Sequence, residues 1–397
     1  MVDMWAGIDA GKREHHCVVI DADGTQLLSQ RVANDEETLL GLIGEVCELA
    51  DGGHVTWAID LNSGGAALVL TLLANHDQLV FYIPGRIIHH GAATYRGDAK
   101  TDAKDAAIIA DQARMRRDLT PIQTNGQLSQ DLRMMASHRT DLIGDRVRTI
   151  NRLRAVLLEY FPALESAFDY SKSKAVLILL QGYQTPKALR ALGEARLTKW
   201  LDARGARNCA TVAQRAINAA KTQHSTTPAE SYGQTRVRSL AANLIRIDAE
   251  LAVLEREITG MLMRHEHAET LLSVPGFGPI LAADFIANTG GDMSAFGTCD
   301  RLASVAGLAP APRDSGRISG NLHRPKRYNR RLLRTCYLAA LSSLKSSTAS
   351  RTFYDRKRGE GKTHKQALIA LARRRINVIW ALLRDHTNYQ EPTPIMA

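Results

Sequence analysis

The chain has 397 residues, 45% of them hydrophobic and 23% charged, so it can bury the cores of two or three domains. Its net charge of +10 is uneven: residues 1–100 hold 6 Lys/Arg against 14 Asp/Glu, and the remainder holds 45 against 27. No apolar run of about 18 residues occurs, which excludes a transmembrane helix as an expectation, and five scattered cysteines without a CxxC pair argue against a disulfide framework or a cysteine zinc site. A basic remainder points to phosphate-bearing partners, and an acidic beginning suits a domain whose carboxylates hold metal ions. The start carries Asp3 and runs directly into a strand pattern, unlike a secretory leader, so a cytoplasmic setting is expected.

In chain order, Trp5–Asp9 is a short apolar run, and His15–Ile20 and Gln26–Val32 flank the turn Asp21-Ala22-Asp23-Gly24. This reads as strands around an Asp/Gly hairpin. Residues 36–50 carry helical spacing, Val55–Asp60 reads as a strand, Ala66–Ala74 as a helix and Leu79–Pro84 as a strand. Another helix opens at Lys100-Thr101-Asp102. Three strands, helix, strand, helix, strand, helix is the order of an α/β ribonuclease-H-like domain, expected over 1–125.

Two long helices are expected next, over 128–161 and about 236–264, within an all-α region spanning 126–265. The second places Val237, Leu240, Leu244, Ile247, Leu251, Leu254, Ile258 and Met261 at alternating three- and four-residue steps, the seam of a coiled coil. Its partner would be the first long helix or another subunit's copy. Residues 171–235 read as short Ala-rich helices with a polar stretch near Thr222–Gly233. A further helical domain is expected over 266–388, followed by a tail, 389–397. Leu271–Ile280 resembles a helix-hairpin-helix turn, in which Gly276 and Gly278 would let the backbone approach a phosphate. Beyond it Arg313, Arg317, Arg324, Lys326, Arg327, Arg330, Arg331 and Arg334 face only Asp314. Like charges this dense repel unless an anion lies on them.

Four carboxylates stand out. Asp9 and Asp60 end expected strands, and Asp102 and Asp105 share one face of a helix start. In a ribonuclease-H-like sheet the first and a later strand end side by side with the last helix across them. That would gather four oxygen donors suited to Mg²⁺, and two such ions assist phosphodiester exchange. Each acid alone has a structural explanation, since a helix dipole favours acids in its first turn and Asp is a common turn residue.

Together, Gly7-Ile8-Asp9, the acid after an apolar strand at Asp60 and Lys100-Thr101-Asp102-Ala103-Lys104-Asp105-Ala106 resemble the DEDD-motif insertion-sequence transposases. Leu271–Pro279 and Ala306-Gly307-Leu308-Ala309-Pro310 resemble that family's C-terminal transposase domain, and the likeness spans all but the insert at 165–235. It implies a RuvC-like domain, Mg²⁺ at Asp9, Asp60, Asp102 and Asp105, and a bridge RNA that guides recombination of donor and target DNA. The chain departs from the family at Asp60, where Glu is usual; the shorter side chain draws the oxygens inward by about one bond. The resemblance also implies a nucleophilic serine in an acid-Ser-Gly triplet, which here is Ser315 in Asp314-Ser315-Gly316, with Ser304 and Ser319 nearby. It further implies a homo-oligomer, a dimer assembling to a tetramer, whose site takes its acids from one subunit and its serine from another.

The reading that follows is an RNA-guided DNA recombinase acting through a covalent phosphoserine. A Holliday-junction-type nuclease would use the same acids with water as nucleophile. A non-catalytic DNA-binding protein would need only the basic regions. An actin-like sugar kinase would need a glycine-rich phosphate motif near mid-chain, where long helices are expected instead.

Overall fold

The structure is a computed structural model; it describes residues 3–61, 64–95, 101–119, 121–122, 127–317, 319–323 and 325–391. The chain divides into two compact units, Met1–Thr124 and Asn125–Ala397.

The first unit is a mixed α/β domain. Its strands are β1 (Met4–Ala10), β2 (Glu14–Ile20) and β3 (Gln26–Ala33). Helix α1 (Glu36–Leu49), strand β4 (Val55–Ile59), helix α2 (Ala67–Asn75) and strand β5 (Val80–Tyr82) follow. Helices α3 (Gly85–Gly91) and α4 (Asp102–Met115) complete it. The sheet order is β3-β2-β1-β4-β5. β1 runs antiparallel to β2 and β2 to β3, whereas β1–β4 and β4–β5 are parallel. The β2–β3 turn forms because Asp21 accepts hydrogen bonds from the N–H groups of Asp23 and Thr25, while Gly24 supplies φ +82°. Asp35 caps α1 and Thr101 caps α4 through their side-chain oxygens.

Strand alternation sorts the sheet's two faces. Ala6, Ile8, Cys17, Val19, Trp57 and Ile59 join α1 and α2 in one core. Val18, Ile20 and Ala58 lie on the other face, against Ala106, Ile109 and Ala110 of α4. Contact between α4 and β1 is close because residue 7 is glycine. A Cβ there would stand 2.3 Å from the Ala106 carbonyl oxygen and 2.4 Å from the Ala110 nitrogen.

The second unit is almost wholly helical. Helices α5 (Gln127–Tyr160) and α11 (Glu230–Leu262) are the two long ones. Between them lie α6 (Pro162–Ala167), α7 (Lys174–Gly182), α8 (Pro186–Leu192), α9 (Glu194–Asp202) and α10 (Cys209–Lys221). After them come α12 (Ala268–Ser273), α13 (Pro279–Thr289), α14 (Cys299–Val305), the hairpin β6 (Ala311–Pro312) and β7 (Leu322–His323), α15 (Arg330–Ser343), α16 (Thr348–Gly359) and α17 (His364–Arg384).

α5 and α11 pack against each other within the chain. Arg139 pairs with Glu255 at 2.7 Å and Arg146 with Asp248 at 2.5 Å. Seven residues up α5 therefore match seven down α11, so the pair is antiparallel. Val237, Leu244, Ile247, Leu254 and Ile258 of the expected seam are buried; Leu240, Leu251 and Met261 are half-buried. α11 also packs on α7 and α13, so its apolar stripe serves several neighbours. The helix begins at Glu230, six residues before the expected start. Gly233 lies inside it because the Tyr160 ring sits where a Cβ would be, 2.7 Å away.

One end of the long pair forms a core with the insert helices α6–α10. The other end, including Leu132, Leu142, Leu254, Ile258 and Leu262, joins Leu271, Phe285, Leu332 and Leu371 of the C-terminal helices.

Candidate active site

In the first unit, Asp9 and Asp60 lie side by side where the parallel strands end, and Asp105 is near enough to Asp60 to act on its charge. Ile8 and Ile59 are register partners on adjacent parallel strands, so Asp9 and Asp60 follow side by side. The N–H of Ala10 donates to Asp60 Oδ1 at 3.1 Å, which ties the end of β1 to the residue after β4. Alternation places Asp9 with Gly7, and Asp60 with Ala58, on the face covered by α4. Asp105 precedes Ala106, whose carbonyl touches Gly7, so it sits over the same strand ends.

Electrostatics agree with this placement. Burial raises the Asp60 carboxyl above its usual range; the Ala10 N–H counters this, and the charge of Asp105 adds to the rise. Crowded, partly desolvated carboxylates of one sign favour protonation or a cation between them. An oxygen-only donor set suits a hard divalent ion, so Asp9, Asp60 and Asp105 fit that chemistry.

Asp102 is placed differently. Its carboxylate is mostly exposed and pairs with Arg31 of β3 at 3.4 Å. Among the described residues no group of three or more His, Cys, Asp or Glu side chains is arranged to hold a metal ion. Four converged acids were expected; the structure sets Asp9 beside Asp60 with Asp105 near, and turns Asp102 towards an arginine. Asp102 stands one helical turn ahead of Asp105, and Arg31 offers it a cation on the β3 side.

His16 was not marked by the sequence as part of this site. It is the register partner of Asp9, and its Nε2 lies 3.0 Å from Ser29 Oγ. Burial and the charge of Arg31 lower its pKa, while Asp102 opposes them. The signal was its position opposite an acid on a neighbouring strand, which becomes visible only once the hairpin register is known. His15 points to the other face, 1% exposed, and neither ring nitrogen finds a hydrogen-bond partner among the described residues.

In the second unit, Ser315 is exposed in the connection between β6 and β7. The Asp314 carboxylate accepts the Asn321 N–H at 2.9 Å and the Arg313 N–H bonds to the Asn321 carbonyl, closing the base of that connection. Ser319 is exposed in the same stretch, whereas Ser304 lies in α14 with its hydroxyl donated to the Asp300 carbonyl. Gly307, of the Ala-Gly-Leu-Ala-Pro stretch, has φ +67° and packs beneath Tyr328, whose Cγ would lie 2.5 Å from a Cβ. That packing fixes the approach to α15.

Arg313, Arg317, Lys326, Arg327, Arg330 and Arg331 are all exposed; Arg324 lies outside the described residues. Arg330 and Arg331 open α15, whose first turn holds no acid. Cations at the positive end of a helix oppose its dipole, so stability does not explain them. Arg331 and Arg334 also line a groove with Arg139 and Asp284, between α5, α13 and α15.

The hairpin-like turn between α12 and α13 differs from the expected phosphate contact at one glycine. Gly276 has φ +84°, and its open side faces α15: a Cβ would stand 2.3 Å from the Ala339 oxygen. Its small size serves helix packing. Gly278, the residue before α13, is exposed with open space around it.

Comparison with known proteins places this arrangement. Residues 6–162 match the profile of a family described as transposase, which covers the acid-bearing strands and α4. Residues 268–355 match a second, described as the transposase IS116/IS110/IS902 family. The chain is 57% identical to the 42 kDa protein of insertion element IS900 of Mycobacterium paratuberculosis, over 99% of both chains. It is 48% identical to the 44.8 kDa protein of insertion element IS116 of Streptomyces clavuligerus, over 99% of this chain and 97% of the relative. The 43.6 kDa protein of insertion element IS110 of Streptomyces coelicolor is 35% identical over 99% and 97%.

This chain belongs to the IS116/IS110/IS902 family of insertion-sequence transposases. As a transposase of this family it is an enzyme acting on DNA. No helix among the described residues is long and apolar enough to cross a membrane.

Proposed function

We propose that this transposase exchanges DNA strands of an insertion sequence through a covalent phosphoserine at Ser315, under the direction of a bound guide RNA. The observation that carries the catalytic part is the side-by-side placement of Asp9 and Asp60 with Asp105 across them. The first unit is read as ribonuclease-H-like, supported by its order β3-β2-β1-β4-β5 with only the β1–β4 and β4–β5 pairs parallel.

Asp9, Asp60 and Asp105 would hold Mg²⁺, and Asp102 would join them on leaving Arg31. When bound, the metal supplies positive charge against a phosphate and its departing oxygen. The Asp60 side chain is shorter than the family's usual glutamate, and its bond from the Ala10 N–H holds it at the strand end. Ser315 Oγ would attack the phosphorus and form a phosphoserine ester as a deoxyribose oxygen leaves; that oxygen takes up the proton which the serine gives up. The ester conserves the phosphodiester for the return step, so no nucleotide triphosphate is needed. Exposed Arg313 and Arg317 flank the serine and would hold the phosphate beside it. Lys326, Arg327, Arg330 and Arg331 extend that cationic surface for DNA or RNA.

Ser315 and the acids belong to different units, and assembly of several copies would let one subunit's serine serve another's acids. The test is reconstitution from purified protein, its co-purified RNA and paired DNA substrates. Strand exchange should require Mg²⁺ or Mn²⁺ and the RNA, and should stop with Asp105→Asn. Cleavage without rejoining, independent of RNA, would instead support the nuclease that uses water.

A further inference from the structure

A cavity lies between α16, α17 and the segment after α17, and no described residue of the β6–β7 connection lines it. It is lined by Phe353, Arg356, Arg374, Arg375, Tyr389 and Glu391 among others. Three arginines and one carboxylate thus share the lining. Arg375 is 7% exposed and has no acid in ion-pair contact among the described residues. Its terminal nitrogens donate to the Ser350 hydroxyl and the Pro275 carbonyl, and its buried Nε has no partner among the described residues. Arg356 and Arg374 are exposed, and their guanidinium groups lie 5.1 Å and 5.3 Å from the Phe353 ring centre.

The anion in this setting comes from the end of the described chain. Glu391 Oε1 accepts the Ala349 N–H at 2.9 Å and the Ser347 hydroxyl at 3.0 Å, at the N-terminus of the 12-residue helix α16. Its Oε2 accepts the Tyr389 hydroxyl at 2.9 Å. Burial opposes the Glu391 charge, but these donors outweigh it and hold the carboxyl below its usual range. Helix N–H groups, a hydroxyl and nearby arginines are the donors that receive a phosphate. The segment is otherwise tied by the Tyr389 N–H to Ser273 Oγ and by Asn388 to Glu269. These are a few surface bonds outside any helix or strand, where local opening costs little.

We propose that this cavity is a second phosphate site for the nucleic-acid backbone, and that Glu391 occupies it in the free protein as a phosphate mimic. The inference rests on the DNA-handling reading above and adds a site built from residues other than those proposed for the chemistry. Entry of a backbone phosphate displaces the Glu391 carboxylate and exposes Arg375, so the C-terminal segment restrains binding until a strand arrives.

The test uses the full chain and its Glu391→Gln variant, which keeps the shape and removes the charge. Fluorescence anisotropy with labelled duplex DNA, and with single-stranded RNA of equal length, is followed over a salt series. Each further phosphate that the protein neutralises steepens the dependence of log affinity on log salt by about 0.9 for duplex DNA. Glu391→Gln should bind more tightly at low salt with that steeper slope, and Arg356→Ala/Arg374→Ala added to it should remove the gain. A gain confined to one probe identifies DNA or RNA as the source. Inorganic phosphate should raise the melting temperature of Glu391→Gln more than that of wild type. Unchanged affinity and slope in Glu391→Gln, or weaker binding, overturns the site while leaving the transposase reading intact. A wild-type protein that binds neither probe contradicts that reading instead, and the phosphate melting shift still decides the cavity.

Discussion

At Asp60 a single side chain carries both an energetic cost and a use. Its pKa is raised by burial and by Asp105, so the folded chain holds the proton more tightly than the unfolded chain does. The stability linked to that proton is full below the ordinary carboxylate range and is lost as pH rises through the raised value. Without divalent metal, Asp60→Asn should therefore melt higher than wild type at neutral pH and flatten this part of the pH profile. It should also lose strand exchange and lose the stabilisation that Mg²⁺ gives wild type. Thermal melts from pH 3 to pH 8, with chelator and with Mg²⁺, check the stability effects, and a strand-exchange assay checks the loss of activity. Gly7 poses the opposite case. Its Cβ would meet backbone of α4, which no rotamer relieves, so Gly7→Ala should cost roughly 1–3 kcal/mol and displace Asp105 from the strand ends. Denaturant unfolding measures the first effect and Mn²⁺ titration the second. Asp9 and Asp60 were legible in the sequence because each ends an apolar strand. The outward turn of Asp102 was not, since Arg31 lies 71 residues earlier on another strand.

Among the elements, the long helices show how far periodicity reaches. The three- and four-residue steps from Val237 to Met261 identify a helix and its buried stripe. They leave the partner open between the first long helix and another subunit, because spacing does not say which surface fills the groove. The ion pairs Arg139–Glu255 and Arg146–Asp248 answer that within the chain, as an antiparallel pair. Being part-exposed, each contributes about 0.2–1 kcal/mol, so burial of the stripe dominates. Ile258→Ala, at a site 1% exposed, should destabilise the helical unit by about 2–5 kcal/mol, whereas Arg146→Ala should cost far less. Calorimetry of both variants tests that ranking. The early start of α11 escaped the sequence because Gly233 reads as a loop residue until the Tyr160 ring is seen above it. Gly276 escaped similarly: glycine marks close approach, but only the fold shows that the approaching backbone belongs to α15.

For the whole molecule, charge follows the division of labour. The acidic residues 1–100 supply Asp9 and Asp60, and the basic remainder supplies exposed arginines around Ser315. Neither unit alone carries both the acids and the serine, so the proposed chemistry needs both units, from one chain or from two. Mixing two inactive variants, Asp105→Asn and Ser315→Ala, should then restore part of the strand exchange if acids and serine come from different subunits. Recovery absent at every mixing ratio would place both in one chain. The central claim, a covalent serine, is tested most directly by trapping. Wild-type protein should be quenched in denaturant midway through reaction with end-labelled DNA and run on a denaturing gel. The account predicts a labelled protein–DNA adduct that survives denaturation, is retained in Ser319→Ala and is absent in Ser315→Ala although that variant still binds DNA. An undiminished adduct or a wild-type recombination rate in Ser315→Ala would contradict it.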